Sequence, residues 1–346
     1  MVLTLDLVLR VLNRTLLHPW VAWIGVLSLR AQVTPYTHPA FVLATSYAIL
    51  LTVLAVARVF NHRIAYGVPR PVDLTDEVIV ITGGASGLGL LIARIYALRG
   101  VSVAVLDVCD VDRVEQSWEG EMSAVHYFRC DVGDRRVLEE TLRKVEVEVG
   151  PPTVLVNCAA ARINGKSLLS LSPDAFQKTI QTNLLAAFHT CQLCLPRMLS
   201  SPTGGTIVNI SSVLGQLCPA GLVDYSASKA GLSALHRSLE AELRASGEDM
   251  VKMVLVETGQ LSTPLFNSVQ TPNAFFAPVL EPIHVAQEIV SAIDEGKAGV
   301  IRMPTFAGFV NWYAVLPVSL QRIARYLSGI DHAVVSRQPA NHAHTD

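Results

Sequence analysis

Tyr225 and Lys229 stand four residues apart in the segment Tyr225-Ser-Ala-Ser-Lys229, a spacing that puts both side chains on one face of a helix. A phenol and an ammonium held together can move a proton. A free tyrosine titrates near pH 10, so a base working near neutrality needs about 3 units of lowering, roughly 4 kcal/mol. The Lys229 ammonium supplies charge of the right sign. The pair alone is a weak signal, because 8 tyrosines and 6 lysines in 346 residues produce such a spacing by chance in about one chain in seven. Context strengthens it. Thirteen residues before Tyr225, Ser212 ends the strand-like run Ile207-Val-Asn-Ile-Ser-Ser212, where its hydroxyl can orient a substrate oxygen. This set suits a hydride leaving or entering a carbinol carbon while a proton moves on its oxygen.

Such residues must be positioned, and the chain from Asp76 onward supplies the elements. Short apolar runs at Val78–Thr82, Val101–Leu106, Ala124–Cys130, Thr153–Asn157, Thr206–Ile210 and Val251–Val256 read as strands. Helical stretches such as Leu88–Leu98, Pro173–Leu199 and Ser226–Arg244 lie between them. Strands alternating with helices predict an α/β fold with a doubly wound, Rossmann-like parallel sheet. Ligands bind beyond the carboxyl ends of the strands in such sheets, and Ser212, Asn157 and the glycine-rich turn all fall there.

That turn is Thr82-Gly83-Gly84-Ala85-Ser86-Gly87-Leu88-Gly89, between the first strand and the first helix. Glycines let the backbone approach a pyrophosphate, and the helix N-terminus offers unpaired N–H groups. Asp107 ends the second strand, 18 residues after Gly89, where a carboxylate can accept hydrogen bonds from an adenosine ribose diol and repel a 2′-phosphate. No Arg or Lys lies in the glycine turn or immediately after Asp107, which favours NAD, with NADP as the alternative. Asp107 capping a loop is the competing reading. Asp131 ends the third strand, where it either reaches the adenine or forms an Asx turn.

The composition bounds the setting. Net charge is −2 at pH 7, so no electrostatic case exists for nucleic acid. Only 16% of residues are charged and mean hydropathy is +0.40, values that point to membrane contact or large apolar surfaces. The six cysteines form no disulfide framework, and Cys191 and Cys194 have no partners that would complete a zinc set. Ala40–Ala57 is an uncharged run of a length at the short end of what spans a bilayer, and Leu16–Leu29 is a shorter apolar stretch. Arg10 and Arg14 precede these runs, Arg58, Arg63 and Arg70 follow them, and Arg30 lies between. This distribution favours a hairpin or re-entrant pair with both outer ends cytosolic, and a single span with an interfacial first helix is the competing reading. Asn61–Asp73, with Pro69 and Pro71, reads as a linker.

Taken together, TGGASGLG at 82–89, Asp107, CDV at 130–132, NCAA at 157–160, Asn183 in TNLLAAF, Ser212 in IVNISS and YSASK at 225–229 resemble the short-chain dehydrogenase/reductases over about residues 75–300. The resemblance implies an NAD(P)-dependent oxidoreductase acting on CH–OH donors, with Asn183, Ser212, Tyr225 and Lys229 as the catalytic set. It implies cofactor contacts from Thr82, Gly83, Ser86, Gly87, Leu88, Gly89, Asp107, Asp131, Val132, Asn157, Tyr225, Lys229 and Thr263, and no metal. Asn183 would hold a water in a proton relay, and Lys229 would also bind the nicotinamide ribose. Two departures stand out: the usual NNAG reads Asn157-Cys158-Ala159-Ala160, and the usual Pro-Gly after the sixth strand reads Thr258-Gly259.

The layout is similar to the membrane-associated retinol and hydroxysteroid dehydrogenases. It divides into a membrane anchor and linker at 1–72, a dehydrogenase domain at 73–303 and an amphipathic extension at 304–346. Phe306–Leu327 suits a helix lying on a membrane, lining a substrate entrance, or packed on the core. The apolar segment Leu261–Leu280 is the expected substrate loop and suits a lipophilic alcohol or ketone. Expected partners are that lipophilic small molecule, a membrane of the endoplasmic reticulum or a lipid droplet with the catalytic domain facing the cytosol, and a second copy in a homodimer. The alternatives are an NADPH-dependent carbonyl reductase and a catalytically silent nucleotide-binding protein on a membrane.

Overall fold

The structure, a computed structural model, describes residues 3–110 and 124–334. The chain falls into two compact units, Met1–Val68 and Pro69–Asp346. Residues 335–346 of the expected extension lie outside the described residues.

The first unit is helical. Helix α1 (Leu5–Arg14) starts at Thr4, whose hydroxyl accepts from Leu7 N. It is followed by α2 (Pro19–Ala31) and α3 (Pro39–Tyr66), each with proline in its first turn, where the missing N–H costs nothing. Trp23 Nε1 donates to Thr52 Oγ1 at 3.0 Å, joining α2 to α3. Among the described residues α3 is the one helix long and apolar enough to cross a membrane, and almost none of its apolar window is buried. Its 28 residues rise about 42 Å. The reading of 61–73 as a linker is therefore corrected at its start. Nothing in Asn61–Tyr66 breaks a helix, and α3 runs on until Gly67, which takes a left-handed φ of 71°.

The second unit is a seven-stranded parallel sheet in the order β3-β2-β1-β4-β5-β6-β7. Its strands are β1 (Val78–Thr82), β2 (Ser102–Asp107), β3 (Val125–Arg129), β4 (Val154–Asn157), β5 (Gly205–Ser212), β6 (Val251–Thr258) and β7 (Gly299–Met303). The central strands are buried along their whole length, as strands covered on both faces must be. One face packs against α4 (Gly87–Ala97) and α10 (Pro282–Asp294), with Ile79, Ile81, Ile92 and Ile289 in its core. The other packs against α5 (Arg135–Glu148) and α7 (Ala186–Ser200), with Leu106, Leu138 and Leu155. Strand β7 has no counterpart among the apolar runs singled out above, because its side chains are only half-buried and include Arg302.

The expected helix over 173–199 is real but not uniform. Between α6 (Pro173–Ile180) and α7, residues Gln181–Leu185 form a π-helical turn. Helix α8 (Leu214–Leu217) follows β5, and α9 (Val223–Ala245) carries the Tyr-Lys pair. The C-terminal extension is two short helices, α11 (Val310–Ala314) and α12 (Val318–Ser328), separated around Pro317. Arg70, grouped above with the membrane-flanking arginines, belongs to the second unit. It is buried at 2% exposure, bonded to Glu77 (2.8 Å) and Thr206 (2.8 Å), and is not available to a membrane surface.

Candidate active site

The strand order reverses between β1 and β4, and a cavity of about 710 Å³ opens at their carboxyl ends. The glycine turn forms one wall. Gly83 has φ 69°, and a methyl group on it would sit 2.7 Å from Ala159 Cα. At Gly89 a methyl would come within 2.4 Å of the Gly83 carbonyl oxygen, so this glycine folds the turn onto α4. Gly83, Ser86, Gly87 and Leu88 line the cavity, placing the N-terminus of α4 at its edge. This arrangement fits an anionic pyrophosphate.

Asp107, Asp131 and Val132 line the same cavity. Asp107 Oδ2 accepts from Ala85 N (3.0 Å), and Oδ1 accepts from Val108 N (2.7 Å) and Cys109 N (3.3 Å). It is thus a loop cap that also faces the cavity, and a carboxylate has about four acceptor positions, so one remains. Asp131 makes an Asx turn to Gly133 N (2.9 Å) and pairs with Lys178 (2.9 Å), which holds its carboxyl below the usual range.

Three expected contacts lie behind the wall. Thr82 Oγ1 accepts from Cys158 N and Ala159 N, both at 3.2 Å, and so shapes the 158–160 backbone. Asn157 spends its amide on Asn209 (2.9 Å) and Thr190 (2.7 Å) inside the core. Gly89 packs against the turn itself. Thr263 lines the cavity over Gly87. Ala160, which replaces a usual glycine, carries no left-handed strain: Val33 and Cys218 are the non-glycine residues with positive φ among those described.

The other end of the cavity holds Tyr225 and Lys229. Lys229 Nζ lies 5.8 Å from the Tyr225 ring centroid and donates to Ile210 O at 2.7 Å. Ser212 Oγ donates to Thr258 O (3.1 Å) and accepts from Leu214 N (3.2 Å), and it is hydrogen-bonded to the Tyr225 side chain. Asn183 sits in the π turn. Its Oδ1 accepts from Ala161 N (2.7 Å), and its Nδ2 donates to Ser228 Oγ (3.0 Å), which in turn donates to Tyr225 O (2.7 Å). The π turn therefore ties the 158–161 wall to the first turns of α9. All four side chains are at most 4% exposed.

Burial dominates their titration. Desolvation pushes the Tyr225 phenol up, opposed by the bond to Ser212, and pulls Lys229 down to about 8. The expected lowering of the phenol by Lys229 is not among the influences on it, which are burial and Ser212. Sequence reasoning missed Phe266, whose ring meets Tyr225 edge-on at 6.3 Å, and Ser228. Neither has a spacing signal that would single it out.

The sequence profile described as short chain dehydrogenase matches residues 77–274. The chain belongs to this family. Similar proteins include the uncharacterized oxidoreductase TDA5 of Saccharomyces cerevisiae, 30% identical over 83% of this chain and 87% of its own. Short-chain dehydrogenase/reductase 3 of Homo sapiens is 35% identical over 73% of this chain and 84% of its own. Retinol dehydrogenase 10-B of Danio rerio is 32% identical over 65% of this chain and 74% of its own. Among solved structures, a short-chain dehydrogenase from Streptomyces avermitilis superposes with a TM-score of 0.59 at 23% identity, covering 72% of this chain and 96% of that one, a likeness of fold. The protein is an oxidoreductase of a family that uses NAD or NADP.

The chain also holds a second cavity, of about 440 Å³. Its walls come from α8, the 259–277 loop and the extension carrying α11 and α12. Ser211 and Thr258 line the first cavity, and Val213 and Gly259, at the ends of the same two strands, line the second; Ser212 lies between Ser211 and Val213 in the chain and lines neither. Arg325 on α12 closes the far side by donating to Leu217 O (2.6 Å), Cys218 O (3.1 Å) and Asp331 (3.0 Å).

Proposed function

We propose that this enzyme interconverts a lipophilic alcohol, of steroid, retinoid or long-chain type, and its carbonyl, with NAD as the hydride carrier. The observation that carries this reading is an apolar cavity lined by Val213, Leu214 and Gly259, the residues that directly follow Ser212 and Thr258, in addition to the cleft that holds Tyr225 and Lys229. The names of the retinol dehydrogenase relatives support it. In the oxidative direction Ser212 holds the substrate oxygen and Tyr225, as phenolate, takes the hydroxyl proton while the carbinol carbon loses hydride. Bound NAD supplies the hydride acceptor and a positive charge that favours the phenolate. Lys229 adds its own charge and a donor for ribose hydroxyls. Asn183 fixes the first turns of α9 and holds the relay that refills Tyr225. Asp107 accepts from the adenosine ribose and disfavours a 2′-phosphate.

The proposed organisation is an anchor at 1–72, the dehydrogenase domain at 73–303 and an extension at 304–346. Helix α3, with Arg58 and Arg63 after its apolar run, supports attachment to the endoplasmic reticulum or a lipid droplet with the second unit in the cytosol. A homodimer through 174–200 and 225–245 is supported by exposed Phe176 and Phe188. The test is turnover of long-chain alcohols, retinoids and steroids with NAD and with NADP, followed by absorbance of the reduced nicotinamide. At least one lipophilic alcohol should react with NAD, and Tyr225→Phe should slow that reaction by about 10²-fold or more. Turnover that survives Tyr225→Phe unchanged would sink the mechanism.

A further inference from the structure

We infer that the substrate carries one polar group, the oxygen that reacts, and is hydrocarbon along the rest of the length held in the chamber. This rests on the reading of the second cavity as the substrate site. The inference comes from how the chamber's polar side chains are already spent. Gln260 Nε2 donates to Val269 O (2.8 Å), and its Oε1 accepts from Thr271 Oγ1 (2.6 Å). Ser328 Oγ donates to Arg325 O (3.1 Å). The Arg325 guanidinium is committed to two backbone carbonyls and to Asp331, with Tyr313 in hydrogen-bonding contact. Gln270 and Asn273 are the remaining polar side chains, and both stand exposed at the solvent rim. The rest of the lining is apolar, including Leu214, Leu217, Phe276, Phe306 and Leu327.

A ligand oxygen next to Tyr225 finds a hydroxyl that both donates and accepts. A second oxygen at the far end of the chamber gives up its water and meets side chains that already have partners. An unmatched buried hydroxyl or carbonyl is costly, while a hydrocarbon end is not. An apolar pocket rejects an added hydroxyl by up to about a hundredfold. The chamber therefore selects against molecules polar at both ends, such as diols and hydroxy-ketones, and for lipids with a single polar terminus.

The experiment uses the full-length protein in detergent with NAD. It compares a series of 1-alkanols with the α,ω-diols of equal length, and retinol with its 4-hydroxy derivative. The expected kcat/KM of each single alcohol exceeds that of its two-ended partner by about tenfold or more while the distal end stays inside the chamber. The gap closes at lengths that reach the rim. Thr271→Val leaves Gln260 Oε1 without its donor and so offers an acceptor to a distal hydroxyl. It should narrow the gap between each single alcohol and its two-ended partner at least threefold, the ratio within a pair being the readout whatever the variant does to both members alike. Equal kcat/KM within every pair, or a gap that Thr271→Val does not change, overturns the inference while leaving the lipophilic reading intact. Tyr225-dependent turnover of small polar alcohols with no turnover of either lipophilic series would overturn both.

Discussion

The cleft at the strand ends and the apolar chamber take their linings from adjacent residues of β5 and β6 but are built in opposite ways. The cleft is made by topology. Residues 83–88, 107–108, 130–132 and 158–162 each sit just past the carboxyl end of a strand, and the parallel sheet brings them together whatever the loops do. Its binding groups are backbone N–H and carboxylates in short local motifs. The chamber is made by long-range side-chain contact. Segments around 213–217, 259–277 and 306–333 meet there, and Arg325 fastens the last to the first across more than a hundred residues. On the proposed reading, chemistry and cofactor choice belong to the rigid sheet edge, and substrate choice to parts that can change without disturbing the sheet.

The sharpest way to break this division is Tyr225→Phe. The phenyl ring keeps the edge-on packing with Phe266 and loses only the hydroxyl proposed to move the proton. We expect kcat to fall by about 10²–10⁴-fold, the usual worth of a positioned acid-base group, with cofactor affinity and the pattern of substrate binding preserved. Cofactor titration by fluorescence alongside turnover checks it. A comparable loss of NAD affinity would mean that the cleft and the proton-transfer residue are not separable.

Lys229→Met tests the same boundary through stability. Burial holds Lys229 at about 8 in the folded protein, against 10.5 for an unperturbed lysine. Between pH 8 and 10.5 the unfolded chain carries a proton that the folded chain has released, so stability rises with pH across that window. Below pH 8 both states are protonated and the folded state bears the full cost of the buried charge, about 3 kcal/mol. Methionine removes that cost and also the bond to Ile210 O. The variant should lose turnover by at least about tenfold and gain about 1–2 kcal/mol against denaturant at pH 7. The gain should shrink above pH 8. A variant that is less stable than the parent at pH 7 would show that the ammonium is solvated in the folded state.

How much of each region the sequence reveals follows from how each is built. The strands, the glycine turn, Asp107, Ser212 and the Tyr-Lys pair are local patterns of two to eight residues, and the structure brings them to one edge. Asn157 and Thr82 look the same locally, yet their side chains turn inward, because alternate residues of a strand face opposite sides of the sheet. The π turn at Gln181–Leu185 changes helical phase without any glycine or proline to announce it. Strand β7 is too exposed to form an apolar run. The Arg325 clamp joins residues more than a hundred positions apart and leaves no periodic trace at all.

Arg325→Met probes the chamber alone. The apolar stem is retained and the bonds to Leu217 O, Cys218 O and Asp331 are lost, which loosens α12 from the turn after α8. We expect KM for lipophilic alcohols to rise about tenfold with NAD affinity unchanged, as measured by steady-state kinetics at varied substrate and at varied cofactor. A change confined to the cofactor KM would contradict the separation of the two regions.

The smallest expected effect sits at the far end of the cleft, in Asp107→Asn. The carboxylate caps the loop through Ala85, Val108 and Cys109, and on the proposed reading it also places a negative charge where a 2′-phosphate would lie. Asparagine keeps one acceptor oxygen, so it can still cap Val108 and Cys109, but its NH₂ opposes the Ala85 N–H and the glycine turn loosens. That loosening weakens NAD and NADP alike and cancels in their ratio. Loss of the charge does not cancel. Like charges near a screened protein surface interact by about 1 kcal/mol, so the NAD-over-NADP preference in kcat/KM should fall about fivefold. Equal losses for both cofactors would mean that Asp107 serves the loop and not the ribose, and that the choice between cofactors is made elsewhere on the sheet edge.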